Sequence, residues 1–382
     1  MINLAYKDIR YAFGKFIITA IGVGMLLGIV MIMIGVYRGM IIDAKVLIDD
    51  ISADVWIVQK DTLGPFAEAS RMHEDLKNTL RVVDGVDQTA ALTFQSLQIF
   101  NKKQKAVRVF AVGYDPFGRI NPINDKRLIH GRVLQRDHYE IVVTDKTGFG
   151  LGERVHLGRD NYTVVGITHG TVSSGGDLIV YLSLKDARQL QFLSANPQIR
   201  NDRARGATTV NAHIINAVVA TIKPGYTPGG IVREVERWKH LSAYTNEKEK
   251  AILTENLIKM ASKQIGMFTA ILILVSIVII SMIIYNMTMD KIKEISIMKL
   301  IGIPNRTIIK MIMQETLLLG VLAFVAGNIF SHIIYSNFPK RVVLERPDAL
   351  MLFIIILIAS FLASLIGVRK AVKADPTEAI GG

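Results

Sequence analysis

The chain has 382 residues, half of them hydrophobic, with 45 Lys and Arg against 33 Asp and Glu, a net charge of +12, and no cysteine. The missing cysteines exclude disulfides from any part of the fold. The apolar residues are clustered rather than spread, which points to a membrane, and much of the positive charge lies beside those clusters, where anionic lipid accounts for it and nucleic acid is not needed as a partner.

An amino tail, residues 1–15, precedes the first uncharged run, Phe16 to Tyr37. About 20 helical residues cross a ~30 Å hydrocarbon core. This run holds twelve Ile, Val, Leu or Phe and no Asp, Glu, Lys or Arg to oppose insertion. It is too long for the apolar core of a signal peptide, and no small-x-small cleavage site follows it. Gly24 and Gly28 form a GxxxG pair within it, repeated as Gly35 and Gly39. Such spacing marks close helix contacts, within one chain or across a dimer.

Residues 38–264 form a large insert of changed character. From Ser52 to Pro224, short β-type runs alternate with Gly, Asp, Asn and Pro: ADVWIVQ, ALTFQSLQIF, AVRVFAVGY, EIVVT, YTVVGIT, DLIVYLS and AVVATI. Helices are expected over 67–81 and over LKDARQLQFL after Ser183. A short helix over 41–50 and a helical stretch over 230–264, with a break near 242–246, are expected as stalks leading to the membrane. The insert is therefore a mixed α+β domain, long enough to bury its own core.

No catalytic constellation emerges from this insert. His130, His138, His156, His169 and His213 show neither HExxH nor clustered ligand spacing, so no metal site is expected. GFGLG at 148–152 reads as a turn. TVSSGGD at 171–177 reads as a loop whose serines lack an identifiable base. The chain holds no GxxxxGK[ST], so it does not bind ATP through a Walker loop. The expectation is a non-enzymatic chain without cofactor.

Three further spans follow: 265–289, 316–339 and 349–368, joined by a segment at 290–315 and a short loop at 340–348, with a tail at 369–382. Small residues recur as Ala323 and Gly327 in the third span, and as Ala359, Ala363 and Gly367 in the fourth. Asn328 and His332 are the polar exceptions in the third span and read as interhelical hydrogen-bonding groups. Without a charged residue inside a span, an ion or proton pathway has little to work with.

Orientation follows from Lys and Arg near the helix ends. Lys7, Arg10 and Lys15, then Lys291, Lys293, Lys299, Arg306 and Lys310, then Arg369, Lys370 and Lys373 place eleven on one side. Lys340, Arg341 and Arg346 are three in the short opposite loop. Both termini and residues 290–315 are thus expected in the cytoplasm, and the insert outside. Within 290–315, Ile292, Ile295 and Met298 share a face of a short helix. Gly302 can end that helix and Pro304 can begin the next, leaving a small rigid knob or a segment lying on lipid headgroups.

The run Glu294-Ile-Ser-Ile-Met-Lys-Leu-Ile-Gly302, followed by Ile308, Ile309 and Gln314-Glu315, resembles the signature of the MacB/FtsX-type (type VII) ABC transporter permeases. Ala374-Asp-Pro-Thr-Glu-Ala-Ile380 resembles the Asp-Pro-x-Glu-Ala ending of that family, and LAYKDIRYAFGKFIITAIGVGMLLG is similar to its amino-terminal span. The resemblance covers the whole chain. It implies four transmembrane α-helices with a large α+β periplasmic domain between helices 1 and 2, in an inner-membrane homodimer. It also implies that 290–315 docks on a separate ABC ATPase through Glu294, Ile295, Met298, Lys299, Leu300 and Gly302. Ser296 and Lys299 stand where Gly and Arg are common in relatives, which leaves the identity of the ATPase open. Residues 53–72 resemble the DevC-like branch, whose members export glycolipid-type or hydrophobic cargo with a periplasmic adaptor (membrane fusion protein) and an outer-membrane channel. The competing readings are an FtsX-like regulator of a cell-wall hydrolase and a membrane-anchored sensor; the 14 residues after Val368 are short for a signalling domain.

Overall fold

Helix α1 runs without interruption from Phe13 to Ile51 in the computed structural model, which describes residues 13–68, 70–100, 105–193, 213–338 and 340–373. No proline lies in this stretch to remove a backbone donor. The separate helix expected over 41–50 is therefore the continuation of α1. The helix ends at Ser52, whose left-handed φ of 51° turns the chain and whose hydroxyl donates to the Asp49 carbonyl at 3.1 Å. The chain divides into two compact units, Met40–Met260 and the remainder.

The first unit is built on strands β1 (Val55–Gln59), β2 (Met72–His73), β3 (Val86–Phe100), β4 (Ala106–Tyr114), β5 (Leu128–Gly131), β6 (Glu140–Thr144), β7 (Arg154–Leu157), β8 (Asp160–Thr168), β9 (Leu178–Ser183), β10 (Ile214–Ile215), β11 (Ala217–Ile222) and β12 (Leu241–Thr245). Ten of them form one sheet in the order β12-β1-β11-β3-β4-β9-β6-β8-β5, with β7 on β8; β2 and β10 pair separately. The β4–β9 and β6–β8 pairs are parallel and the other pairs antiparallel. β3 links two halves of the sheet, pairing with β11 from Val86 to Leu92 and with β4 from Thr93 to Phe100. Burial on both faces explains the near-continuous apolar runs of β1, β6 and β9. One core gathers Trp56, Leu92, Ile179 and Tyr181 with Leu47 and Ile48 of α1; a second holds Val55, Ile57, Val218 and Val235; a third holds Val109, Ile141, Val164 and Val180.

Two helical expectations change in this unit. Residues 67–81 form not one helix but α2 (Gly64–Ala67), β2 and α3 (Leu76–Arg81), because Met72 and His73 pair with Ile215 and Ile214. The helical stretch expected over 230–264 is broken close to the expected 242–246, and the break is a strand. The stretch divides into α5 (Pro228–Glu236), β12, α6 (Asn246–Leu253) and a π-helical turn at Thr254–Ile258, after α4 (Leu184–Leu193) earlier in the chain. β12 pairs with β1 over five residues and buries Leu241 and Ala243, a tertiary gain that overrides local helix propensity. Thr245 then caps α6 by accepting from the Lys248 amide at 3.2 Å.

The second unit comprises most of α1 with α7 (Lys259–Asp290), α8 (Ile292–Leu300), α9 (Asn305–Ile334) and α10 (Arg346–Lys373). Helices α1, α7, α9 and α10 are each long and apolar enough to cross a membrane. Val23 and Leu27 of α1, Ile280 and Ile284 of α7, Ala323 of α9 and Leu352 and Ile356 of α10 meet in one apolar cluster. The glycines set how closely these helices approach. A Cβ on Gly24 would stand 2.7 Å from the Ala323 carbonyl oxygen, and one on Gly327 would stand 2.6 Å from that of Gly24, so α1 and α9 touch backbone to backbone within one chain. Gly28 meets Gly327 and Phe330, Gly320 meets Ser360, and Gly367 meets Thr288 and Ile284. Ala359 and Ala363 are buried on α10.

Gly35 and Gly39 serve a different contact. The segment before α10 lies across them, with the Val343 amide donating to the Gly35 carbonyl at 3.0 Å and Arg341 against Gly39. Arg38 fixes the end of this segment and the first turn of α10, through an ion pair with Glu345 at 2.8 Å and a fork onto Asp348. His332 interacts within its own helix, with the Asn328 carbonyl at 2.9 Å, so the interhelical role expected for that imidazole is not the one observed.

Candidate functional site

Fourteen residues, 291–304, join α7 to α9: the nine of helix α8 and short flanks that include Gly302 and Pro304. α8 ends in a Schellman arrangement: Gly302 has φ +90°, the Gly302 amide donates to Lys299 and the Ile303 amide to Met298, both at 3.0 Å. A residue with a side chain would be strained at that φ, so the glycine is a requirement of the turn. Pro304 is the N-cap of α9, with the Thr307 amide donating to its carbonyl at 2.9 Å.

The inner face of α8 is clamped. Ile295 packs with Ile308 and Ile312 of α9 and Ala371 of α10, backed by Met298, Ile303 and Val368. Lys299 donates from Nζ to the Val372 carbonyl at 2.8 Å, and Lys291, just before α8, pairs with the buried Glu315 of α9 at 3.0 Å. An apolar wedge and two lysine ties hold the short helix to both neighbours. Such anchoring restricts the motion of a helix too short to be stable alone.

The positions named from sequence separate into two groups. Ile295 is 1% exposed, and Met298 and Lys299 are half-buried in the clamp, so these three hold the segment in place. Glu294, Leu300 and Gly302 face outward. The outward surface also contains two residues outside that set, Ile297 at 49% and Ile301 at 75% exposure, beside Leu300 at 51%. Ile297, Leu300 and Ile301 follow i, i+3, i+4 spacing, so they form one apolar stripe, flanked by exposed Lys293, Glu294 and Arg306. The sequence signal for them was available in that spacing, but without tertiary contacts nothing showed which stripe faced inward. The Ala374–Ile380 ending lies outside the described residues.

In the other unit three histidines each meet a single polar side chain. His138 Nδ1 lies 2.7 Å from Asp186, His169 Nδ1 2.6 Å from Asp145, and His156 Nδ1 3.1 Å from Asn161. Among the described residues, no three His, Asp or Glu side chains converge on a common point. One carboxylate stands apart. Glu249 of α6 is fully buried beneath Gly64, neither of its oxygens has a hydrogen-bond partner, and burial pushes its pKa up to about 8.

Four membrane-length helices with an α+β domain inserted between the first and second define an integral-membrane subunit. Residues 16–237 match the model of the MacB-like periplasmic core domain, and residues 266–376 match the FtsX-like permease C-terminal model. The chain belongs to the MacB/FtsX-type ABC transporter permeases. It is 23% identical, over the full length of both chains, to an uncharacterized ABC transporter permease of Mycobacterium bovis. It is 24% identical to a Staphylococcus haemolyticus protein provisionally named hemin transport system permease protein HrtB, covering 100% of this chain and 99% of that one. The periplasmic region of MacB from Actinobacillus actinomycetemcomitans aligns over 53% of this chain and 94% of its own, at 12% identity and a TM-score of 0.35.

Proposed function

We propose that this permease couples a separate ABC ATPase to movement of its α+β domain, and that it exports a lipid or other hydrophobic cargo. The observation that carries this reading is the apolar stripe of Ile297, Leu300 and Ile301, exposed on a helix that is clamped to α9 and α10. A force applied to the stripe passes into both helices, because Ile295 and the two lysine ties leave the segment little freedom to absorb it. In this reading the stripe, both termini and the 290–315 segment are cytoplasmic, the α+β domain is periplasmic, and the working unit is a homodimer in the inner membrane. Two helical runs connect the units, α1 and the succession from Asn246 to Asp290, and serve as levers. Cargo is delivered to a periplasmic adaptor and an outer-membrane channel. The hemin assignment of the staphylococcal relatives fits the hydrophobic class of cargo.

The test replaces Ile297, Leu300 and Ile301 together with Asp and measures copurification of the ATPase from native membranes. The expected result is at least a tenfold loss of association with the chain still inserted. Unchanged association, with weakened membrane retention instead, would assign the stripe to lipid headgroups and reject the docking role.

A further inference from the structure

An open cleft of about 800 Å³ lies where the turn between α3 and β3 meets the start of α5, lined by Asp84, Tyr226, Glu234 and Trp238 among others. Tyr226 is a fixed wall. Gly85 takes a left-handed φ of +87°, and a Cβ there would stand 2.4 Å from the Tyr226 ring, so the ring rests on backbone that only glycine leaves bare. The Tyr226 hydroxyl donates to Asp84 at 3.0 Å, which sets the direction of the side chain, and 45% of the residue stays exposed. Trp238 is half-buried, packed against the second core while it lines the cleft, and Val83 and Ile231 add apolar surface.

The charge on this lining has one sign. Asp84 and Glu234 are its carboxyl groups, and no Lys or Arg stands among the described residues that line it, in a chain whose net charge is +12. Asp84 accepts from the neutral Tyr226 hydroxyl and has no ion-pair partner among the described residues. The hydrogen bond to Asp84, followed by the charge of Asp84, raises the Tyr226 pKa above the ordinary tyrosine value, so the phenol keeps its proton and remains the donor. Glu234 pairs with Arg237 at 2.9 Å, but both side chains are exposed, and a surface pair of this kind yields readily to a better partner.

Aromatic walls with carboxylates beside them suit a positive charge carried on carbon. The negative face of a ring attracts a cation, the apolar lining accepts its methyl or methylene groups, and the carboxylates balance its charge. A phosphate or carboxylate ligand would meet two like charges here, and a hydrated metal ion would make no use of the rings.

We infer that this cleft binds a small organic cation of the alkylammonium type, seated against Tyr226 and Trp238 with Asp84 and Glu234 as its counter-charges. The site lies wholly within the α+β domain and does not depend on the coupling reading.

Full-length protein purified in a maltoside, a detergent without a cationic headgroup, is titrated with choline chloride while tryptophan emission is recorded, with sodium chloride at equal concentration as the blank. Trp56 is sealed in the core and Trp238 lines the cleft, so Trp238 reports binding. The expected result is a saturable change in emission that disappears in Trp238→Phe. The neutral tert-butyl analogue of choline, equal in shape, is expected to bind at least tenfold more weakly. Asp84→Asn combined with Glu234→Gln, and separately Tyr226→Leu, are each expected to weaken choline binding at least tenfold. Asp125→Asn, before the edge strand β5, is expected to leave it unchanged. Should Tyr226→Leu fail to fold, the paired carboxyl changes, which preserve side-chain shape, decide the matter. Absence of a saturable response, equal binding of the neutral analogue, or indifference to the carboxyl changes would each overturn the proposal.

Discussion

The turns of the α+β domain and the membrane-length helices use glycine for different reasons, and the contrast shows what each packs against. In the domain, glycines such as Gly85, Gly131, Gly148 and Gly152 take left-handed φ values and turn the chain between strands. In the helical unit, Gly24, Gly28 and Gly327 lie in regular helix and let two backbones touch. The domain drives its folding by removing Trp56, Leu92, Tyr181 and their neighbours from water. The helical unit leaves Leu274, Val278 and Met282 of α7 uncovered, because lipid is as apolar as the side chains and burial among helices gains little. Close van der Waals contact at small residues takes over that role.

The sharpest way to break this comparison is to damage one unit and observe the other. Both tryptophans, Trp56 and Trp238, lie in the domain, so tryptophan fluorescence follows that unit, while far-UV circular dichroism is weighted toward the long helices. Leu92→Ala leaves a cavity in the main domain core and is expected to destabilise the domain by about 2–5 kcal/mol. The fluorescence transition should move to lower temperature while the helical signal persists; a single joint transition would show that the two units unfold as one.

Glu249 sharpens the comparison through pH. Its folded pKa of about 8 lies above the ordinary 4.5, so the contribution of this one carboxyl to the domain's stability is greatest at low pH, declines as pH rises from about 4.5 to about 8, and is level above that. Glu249→Gln removes the ionisable group. The variant is expected to gain on the parent steadily between pH 5 and 8, reaching a few kcal/mol at about 1.4 kcal/mol per pKa unit. The measurement is the difference in fluorescence melting temperature at several pH values, and a constant difference across that range would refute the assignment.

The smallest of the three effects is expected in the helical unit. Gly327→Val forces α1 and α9 apart at their backbone contact, at a cost of about 1–3 kcal/mol. Its readout is the helical signal and resistance to detergent, with the domain's fluorescence transition unchanged. A shift of the fluorescence transition alone would contradict the separation.

The chemistry of the 290–315 segment was legible in part. Gly302 and Pro304 punctuate it for local reasons, and those reasons hold wherever the segment is placed. Ile295, Met298 and Lys299 read as surface positions on a short amphipathic helix, yet they are the clamp, and Ile297 and Ile301 form the outward stripe. A nine-residue helix contains apolar residues on more than one side, so its periodicity does not say which side a neighbour covers.

The amino-acid sequence determined the features whose energetics are local. Four uncharged runs of membrane length, the strands β4, β6 and β11, helix α4 and the glycine turn at 302 follow from propensity, burial periodicity and backbone sterics over a few residues. Tertiary structure decided the rest. Leu241–Thr245 is a strand because β1 lies beside it, Gly24 meets Ala323 and not another chain's helix, and Gly35 with Gly39 receives a loop. Each of these outcomes depends on contacts between residues far apart in the chain, and no local window contains both partners.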